Sequence, residues 1–207
     1  MGILQALATG LIPPLCAACG RSCRPDATLC TRCARQLAAA EPLEGAGPPG
    51  LDRAWSTAPH EAVARDLVTA LKFRRLLPVA DLMADRIQWL APATVLSGTI
   101  VPVPTAPLRT MVRGFDPAAE IAAALAQRTE LSLQTCLIRR GGGRQVGKRR
   151  AQRIGHPPRI QARGKVPGSV LLVDDVLTTG STLSSCARAL RQAGAIRVAA
   201  ITFTRRL

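Results

Sequence analysis

Asp174 and Asp175 stand side by side after the apolar run Val170-Leu171-Leu172-Val173 and before Thr178-Thr179-Gly180-Ser181-Thr182. The apolar run has the character of a central parallel strand, buried on both faces. Ligands of parallel sheets bind in the crevice beyond the carboxyl ends of the strands, so the acidic pair is expected at the ligand edge. The hydroxyl-rich loop that follows leads into a helix, where backbone N–H groups and the helix dipole favour a phosphate. Gly180 lets the backbone come close, and Thr178, Thr179, Ser181 and Thr182 add hydroxyl donors. Carboxylates cannot face that phosphate. They suit hydrogen-bond donors such as sugar hydroxyls, directly or through Mg²⁺. Sugar hydroxyls beside a phosphate describe a ribose 5-phosphate. A P-loop requires Lys where Ser181 stands, and a dinucleotide turn requires three spaced glycines where this chain has one. A plain strand–loop–helix connection with capping residues would leave two adjacent carboxylates without a partner.

A second constellation lies near the amino terminus. Cys16 and Cys19 are separated by two residues, ten residues follow, and Cys30 and Cys33 repeat the spacing. Four thiolates at this spacing satisfy the tetrahedral preference of Zn²⁺, and Gly20 suits the knuckle turn. With every position filled by Cys, the expected role is structural. Cys23 either replaces Cys19 or is a free thiol, and Cys136 and Cys186 read as core residues.

Elements that position these residues follow from pattern. Five of the seven cysteines fall within residues 1–40, and the Pro/Gly-rich stretch 41–52 reads as a linker. The expected organisation is a zinc-binding module over 1–45 and an α/β domain over 46–207. Strands are expected at 53–58, 98–104, 169–175 and 196–203, with helices at 60–73, 78–91 and 182–194. Residues 105–116 read as a loop. Asp116-Pro117 reads as an N-cap followed by Pro at the first helical position. Strands alternating with helices indicate a parallel sheet. The chain of 207 residues carries 28 basic and 13 acidic residues, a net charge of +15, which points to a polyanionic partner. No apolar run is long enough to span a membrane. Residues 1–20 lack the basic start of an export signal, so residues 3–12 are expected to form a packing helix and the protein to be cytoplasmic.

Residues 170–182 closely resemble the phosphoribosyl pyrophosphate signature of type I phosphoribosyltransferases. Together with the four-Cys module, the block order "LIPPLCAACG", "ALKFRRLLPVADLMADRI", "VPVPTAPLRTMVRGFDPAAEIA" and "RQVGKRRAQR" resembles the ComF family of competence proteins. The resemblance implies a type I phosphoribosyltransferase-like sheet flanked by helices. It implies contacts from Asp174 and Asp175 to the ribose hydroxyls, and from residues 178–182 to the 5′-phosphate. Lys72, Arg109 and Arg113 would meet the pyrophosphate, a guanidinium fork suiting that group. Asp116 stands where the family has Asn, and His156 departs from the family pattern in a Pro-rich stretch. The implied function is Mg²⁺-dependent transfer of phosphoribose to an acceptor, linked to competence and DNA uptake. The alternative is a non-catalytic accessory of transformation that binds single-stranded DNA or competence proteins. The basic run 139–165 supports polyanion binding but has no aromatic residue for base stacking.

Overall fold

The computed structural model describes residues 14–140 and 158–206. The expected helix at 3–12, most of the basic run and His156 lie outside the described residues. Helix α1 (Thr31–Ala38) is followed by strands β1 (Leu43–Gly45) and β2 (Arg53–Pro59), then helices α2 (Ala62–Arg74) and α3 (Pro78–Leu90). Strand β3 (Thr99–Pro102) leads to helices α4 (Pro107–Arg113) and α5 (Pro117–Thr129). A short pair, β4 (Leu137–Arg139) and β5 (Ile160–Ala162), precedes β6 (Ser169–Leu177), α6 (Ser181–Gln192) and β7 (Arg197–Arg205).

The main sheet has the order β1-β2-β7-β6-β3. Its four long neighbours are parallel, and β1 adds an antiparallel edge. Alternation along the strands divides the core. Leu171 and Val173 of β6, Ile201 and Phe203 of β7 and Ile100 of β3 pack with α2, α3 and α5. Val170, Leu172, Val198 and Ala200 point the other way, towards α6 and the β4–β5 pair. The architecture is therefore the α/β parallel sheet flanked by helices that the sequence implied.

Three local expectations change. Residues 105–116 are not a continuous loop, because α4 begins at Pro107 and ends at Gly114 with φ +78°. It buries no residue, so no apolar periodicity announced it. Strand β6 runs two residues past the acidic pair, its pairing with β7 continuing to Leu177 opposite Arg205. The stretch read as a linker contains β1, paired with β2 from Leu43 opposite Ser56. By contrast, Asp116 caps α5 as expected, its carboxylate accepting from Ala118 N at 3.0 Å and from the Thr105 hydroxyl and amide at 2.9 Å each.

The amino-terminal residues share one core with the sheet. Cys16, Ala17, Leu29, Cys33 and Leu37 belong to the same apolar cluster as Leu67, Leu71 and Met83. Two arginines add polar ties: Arg74 donates to Ala17 O at 3.0 Å, and Arg86 donates to Ala40 O at 2.6 Å and to Thr57 O at 3.3 Å. Among the described residues Arg86 is held by carbonyls alone, and its buried Nε has no partner. Arg86→Ala is expected to cost about 2 kcal/mol, the usual scale for charged hydrogen bonds. That corresponds to a melting temperature lower by roughly 4–8 °C for a chain of this size. An unchanged melting curve would show that these ties carry no stability.

Candidate functional site

At the carboxyl edge of β6 the two acids part company. Side chains alternate across a strand, and adjacent carboxylates must face opposite layers. Asp174 faces the α6 layer. It lines a cavity of about 40 Å³ with Thr178, Thr179, Gly180, Ser181 and Thr182, the residues expected to hold a phosphate. Asp175 faces the α2 layer, is 5% exposed, and forms an ion pair with Lys72. Its buried Oδ2 has Lys72 Nζ as an ionic partner without hydrogen-bond alignment. Lys72 thus meets an acid, not open space at the end of a helix.

Electrostatics separate the acids as well. Burial raises the Asp174 carboxyl well above its ordinary 3.8, and the neighbouring Asp175 charge pushes it further. One opposing contact is the Asp175 amide, which donates to Asp174 Oδ1 at 2.9 Å. The loop behind Asp174 is tightly built. Gly180 has φ +73° at the cap of α6, and a Cβ there would collide with the ring of Pro48. Only glycine meets both demands.

Arg109 and Arg113 both lie on α4, directly after β3, which pairs with β6. Arg109 is exposed. The Arg113 guanidinium stacks over Phe73, 5.2 Å from the ring centre, next in sequence to Lys72. Arg75 likewise sits 5.9 Å over Phe115. The structure therefore brings Arg113 to the helix end that carries Lys72, while the Arg109 side chain has no hydrogen bond or ion pair among the described residues.

Sequence reasoning passed over His60. It ends the β2 edge, and its Nδ1 lies 2.8 Å from the Thr204 hydroxyl on β7. Its only signal was position, at the first residue of the expected helix 60–73, just after an apparent strand. Larger cavities lie elsewhere. One of about 230 Å³ opens at the opposite sheet edge beside Arg53 and Arg197, and one of about 300 Å³ lies between the cysteine module and α3. Neither touches the acidic pair, so chemistry locates this site better than volume.

The four-Cys cluster forms as the spacing required. The sulfurs of Cys16, Cys19, Cys30 and Cys33 all lie within 4.8 Å of one another. Burial pushes the Cys16 thiol up, but backbone hydrogen bonds at Cys19, Cys30 and Ala18 outweigh it and lower it to about 6. Burial and the neighbouring thiols raise Cys33. Crowded sulfurs that force one another to share protons suit a tetrahedral cation. Cys23 stands outside the cluster, its thiol donating to Ala27 O at 3.2 Å and to Pro14 O at 3.4 Å. Cys136 and Cys186 are buried in the core facing α6.

Comparison with known proteins adds an independent line. The family described as phosphoribosyl transferase domain matches residues 111–207. No curated protein matches the sequence significantly. Similar solved structures include an allosteric regulatory enzyme of purine biosynthesis, 25% identical over 59% of this chain and 24% of that one, with a TM-score of 0.40. Another is glutamine phosphoribosylpyrophosphate amidotransferase from B. subtilis, 21% identical over 70% and 29%, TM-score 0.40. A third is orotate phosphoribosyltransferase from Aeropyrum pernix, 23% identical over 62% and 63%, TM-score 0.39. The chain thus spans less than two thirds of the length of each of these proteins. Residues 111–207, which carry the acidic pair, the hydroxyl loop and Arg113, are thus similar to a phosphoribosyl transferase domain over just under half of this chain.

Proposed function

We propose that the protein binds phosphoribosyl pyrophosphate with Mg²⁺ and transfers its phosphoribosyl group to an acceptor, releasing pyrophosphate. The observation that carries this reading is the juxtaposition of Asp174 with the Thr178–Thr182 loop in one small cavity beside the Lys72–Asp175 pair. The loop residues would hold the 5′-phosphate, and Asp174 and Asp175 the ribose hydroxyls, Asp175 by exchanging Lys72 for the ligand. Arg113, steadied on Phe73, would face the pyrophosphate, with Arg109 on the same short helix. Mg²⁺ commonly binds one or two carboxylates together with substrate phosphates, and Asp174, the acid not taken by Lys72, fits that pattern. The ion would neutralise charge on the departing pyrophosphate. A carboxylate beside the sugar stabilises the positive charge that develops on it.

The block resemblance to ComF proteins extends the proposal to DNA uptake, with single-stranded DNA or competence proteins as partners. The net charge of +15 supports a polyanionic partner, and among the described residues no helix is long and apolar enough to cross a membrane. The acceptor-free alternative, a DNA-binding accessory without turnover, rests on the same charge. It leaves the built loop around Asp174 without a use. The two-domain division, a zinc module over 1–45 and a transferase domain over 46–207, belongs to the same proposal, with Zn²⁺ held by Cys16, Cys19, Cys30 and Cys33.

Two experiments test these statements. Protein purified without chelator is expected to carry one zinc per chain, and Cys30→Ser to lose it along with stability. Metal analysis without zinc would remove the module's assigned role. For the ligand site, Asp174→Asn gives two readouts of opposite sign. The Asp174 carboxyl titrates higher in the folded chain, so the folded state holds the extra proton and stability falls as pH climbs from 3.8 through the raised value. Removing the acid should therefore raise the melting temperature near about pH 7, with the gain shrinking as pH is lowered towards about 4. Calorimetric affinity for phosphoribosyl pyrophosphate with Mg²⁺ should weaken about ten- to a hundredfold, and further in the Asp174→Asn, Asp175→Asn double variant. Undiminished binding in the double variant would dismiss the ribose site.

A further inference from the structure

We propose that His60 is the proton acceptor on the side of the site from which the acceptor molecule enters. The inference rests on the phosphoribosyl-transfer reading above and adds to it where the second substrate sits and what removes its proton.

The topology separates the two sides. Strand β3 lies on one side of β6 and leads to Arg109 and Arg113 on α4. Strands β7 and β2 lie on the other side, ending at Arg205 and Pro59, with Arg206 and His60 immediately beyond. A pyrophosphate held on the β3 side departs in that direction. A displacement at a sugar carbon is completed from the face opposite the leaving group. The acceptor therefore approaches from the β7–β2 side, where His60 is the one histidine among the described residues.

The imidazole is held in one orientation. Its Nδ1 lies 2.8 Å from the Thr204 hydroxyl, which in turn donates to Asp175 O at 3.4 Å. The proposed step uses the tautomer in which the hydroxyl proton goes to that carbonyl and Nδ1–H donates to Thr204 Oγ1. The lone pair is then on Nε2, which has no hydrogen-bond partner among the described residues. The backbone is held too. His60 N donates to Arg205 O at 2.7 Å, Glu61 N turns back to Pro59 O at 2.9 Å, and Ala62 adopts φ +42°. A non-glycine residue in the left-handed region is a conformation that surrounding structure must impose, and such residues gather at functional sites.

The charges facing His60 keep it neutral. Burial lowers it below the ordinary 6.5, as do Arg206 beyond β7 and Lys72 and Arg65 on α2, while Asp175 on β6 opposes them. A neutral imidazole with a free Nε2 accepts a proton at neutral pH. In the proposed step the C1–O bond to pyrophosphate breaks and its electron pair leaves with the pyrophosphate. The nucleophilic atom of the acceptor forms the bond to C1, and its proton passes to His60 Nε2.

His60→Asn keeps a side-chain donor near the Nδ1 position and removes Nε2, so the fold and Thr204 contact are preserved. Pyrophosphate release from phosphoribosyl pyrophosphate would be followed from about pH 5 to about pH 8 with water or each of the four RNA bases as acceptor. Binding would be measured in parallel by calorimetry. The parent rate is expected to rise through a midpoint below 6.5 and then level off, in keeping with the lowered His60. In His60→Asn the rate should fall about a hundredfold and the rising limb disappear, with ligand affinity unchanged. A limb and rate that persist in the variant would overturn the role of His60 and leave the transferase reading intact. A parent that binds ligand but releases no pyrophosphate above the buffer rate with any acceptor would likewise overturn the role of His60. A parent that does not bind phosphoribosyl pyrophosphate would overturn the transferase reading itself.

Discussion

A carboxylate folded almost wholly out of water needs a counter-charge, and Asp175 finds one in Lys72. That contact joins the middle of the sheet to the last turn of α2, and much of the carboxyl edge is arranged from it. The residues after Lys72 receive α4: Phe73 lies under Arg113, and Arg75 lies over Phe115. Helix α4 buries no side chain, so apolar packing does not hold it in place. Two cation–π stacks at about 0.5–1 kcal/mol each, with the Asp116 tie to Thr105, define where it sits. The arginines that would serve an anionic ligand are thus set by the same helix end that neutralises the buried acid.

The features legible in the sequence are those whose cause lies within a few residues. The apolar run before Asp174 reads as a buried strand because it needs no partner to be recognised. The Asp116-Pro117 cap and the paired C-x2-C spacing are equally local. What escaped the sequence depends on distant pairing. Strand β6 extends to Leu177 because β7 is there to bond with it, and Lys72 is read as a helix end until Asp175 is brought beneath it. His60 reads as the start of a helix, whereas its role is set by Thr204, 144 residues away in sequence. Cys23 shows the same limit, since spacing alone allows it to compete with Cys19, and only its hydrogen bonds to Pro14 and Ala27 remove it from the cluster.

The Pro/Gly-rich stretch after the cysteine module is more than a tether. Gly45 pairs opposite Ala54, Pro48 rests against Gly180, and Gly50 O accepts from Arg191 Nε at 3.0 Å. Asp52 completes the attachment, accepting from Arg191 at 2.5 Å and from Val198 N at 2.8 Å. The stretch is therefore bound along α6 from its first turn to its last. Its composition, which suggests a break between units, instead supplies the flat ring and bare backbone needed beside a tight loop. The hydroxyl loop is walled on one side by residues more than a hundred positions earlier in the chain.

Two adjacent acids at the end of a strand are not two copies of one device. Strand alternation sends them to opposite layers, and the layers treat them differently. Asp175 meets a lysine and becomes part of the packed structure. Asp174 meets a small polar cavity, and both burial and its neighbour's charge resist its ionisation. A site arranged this way resists charge until something that donates hydrogen bonds or brings positive charge enters beside the loop. The resulting cost to the fold is borne by a single side chain, while the paired acid keeps the strand end in register with α2. That division explains why a chain with 28 basic and only 13 acidic residues places two of its acids together. One holds the edge in place, and the other is left free to respond to a ligand.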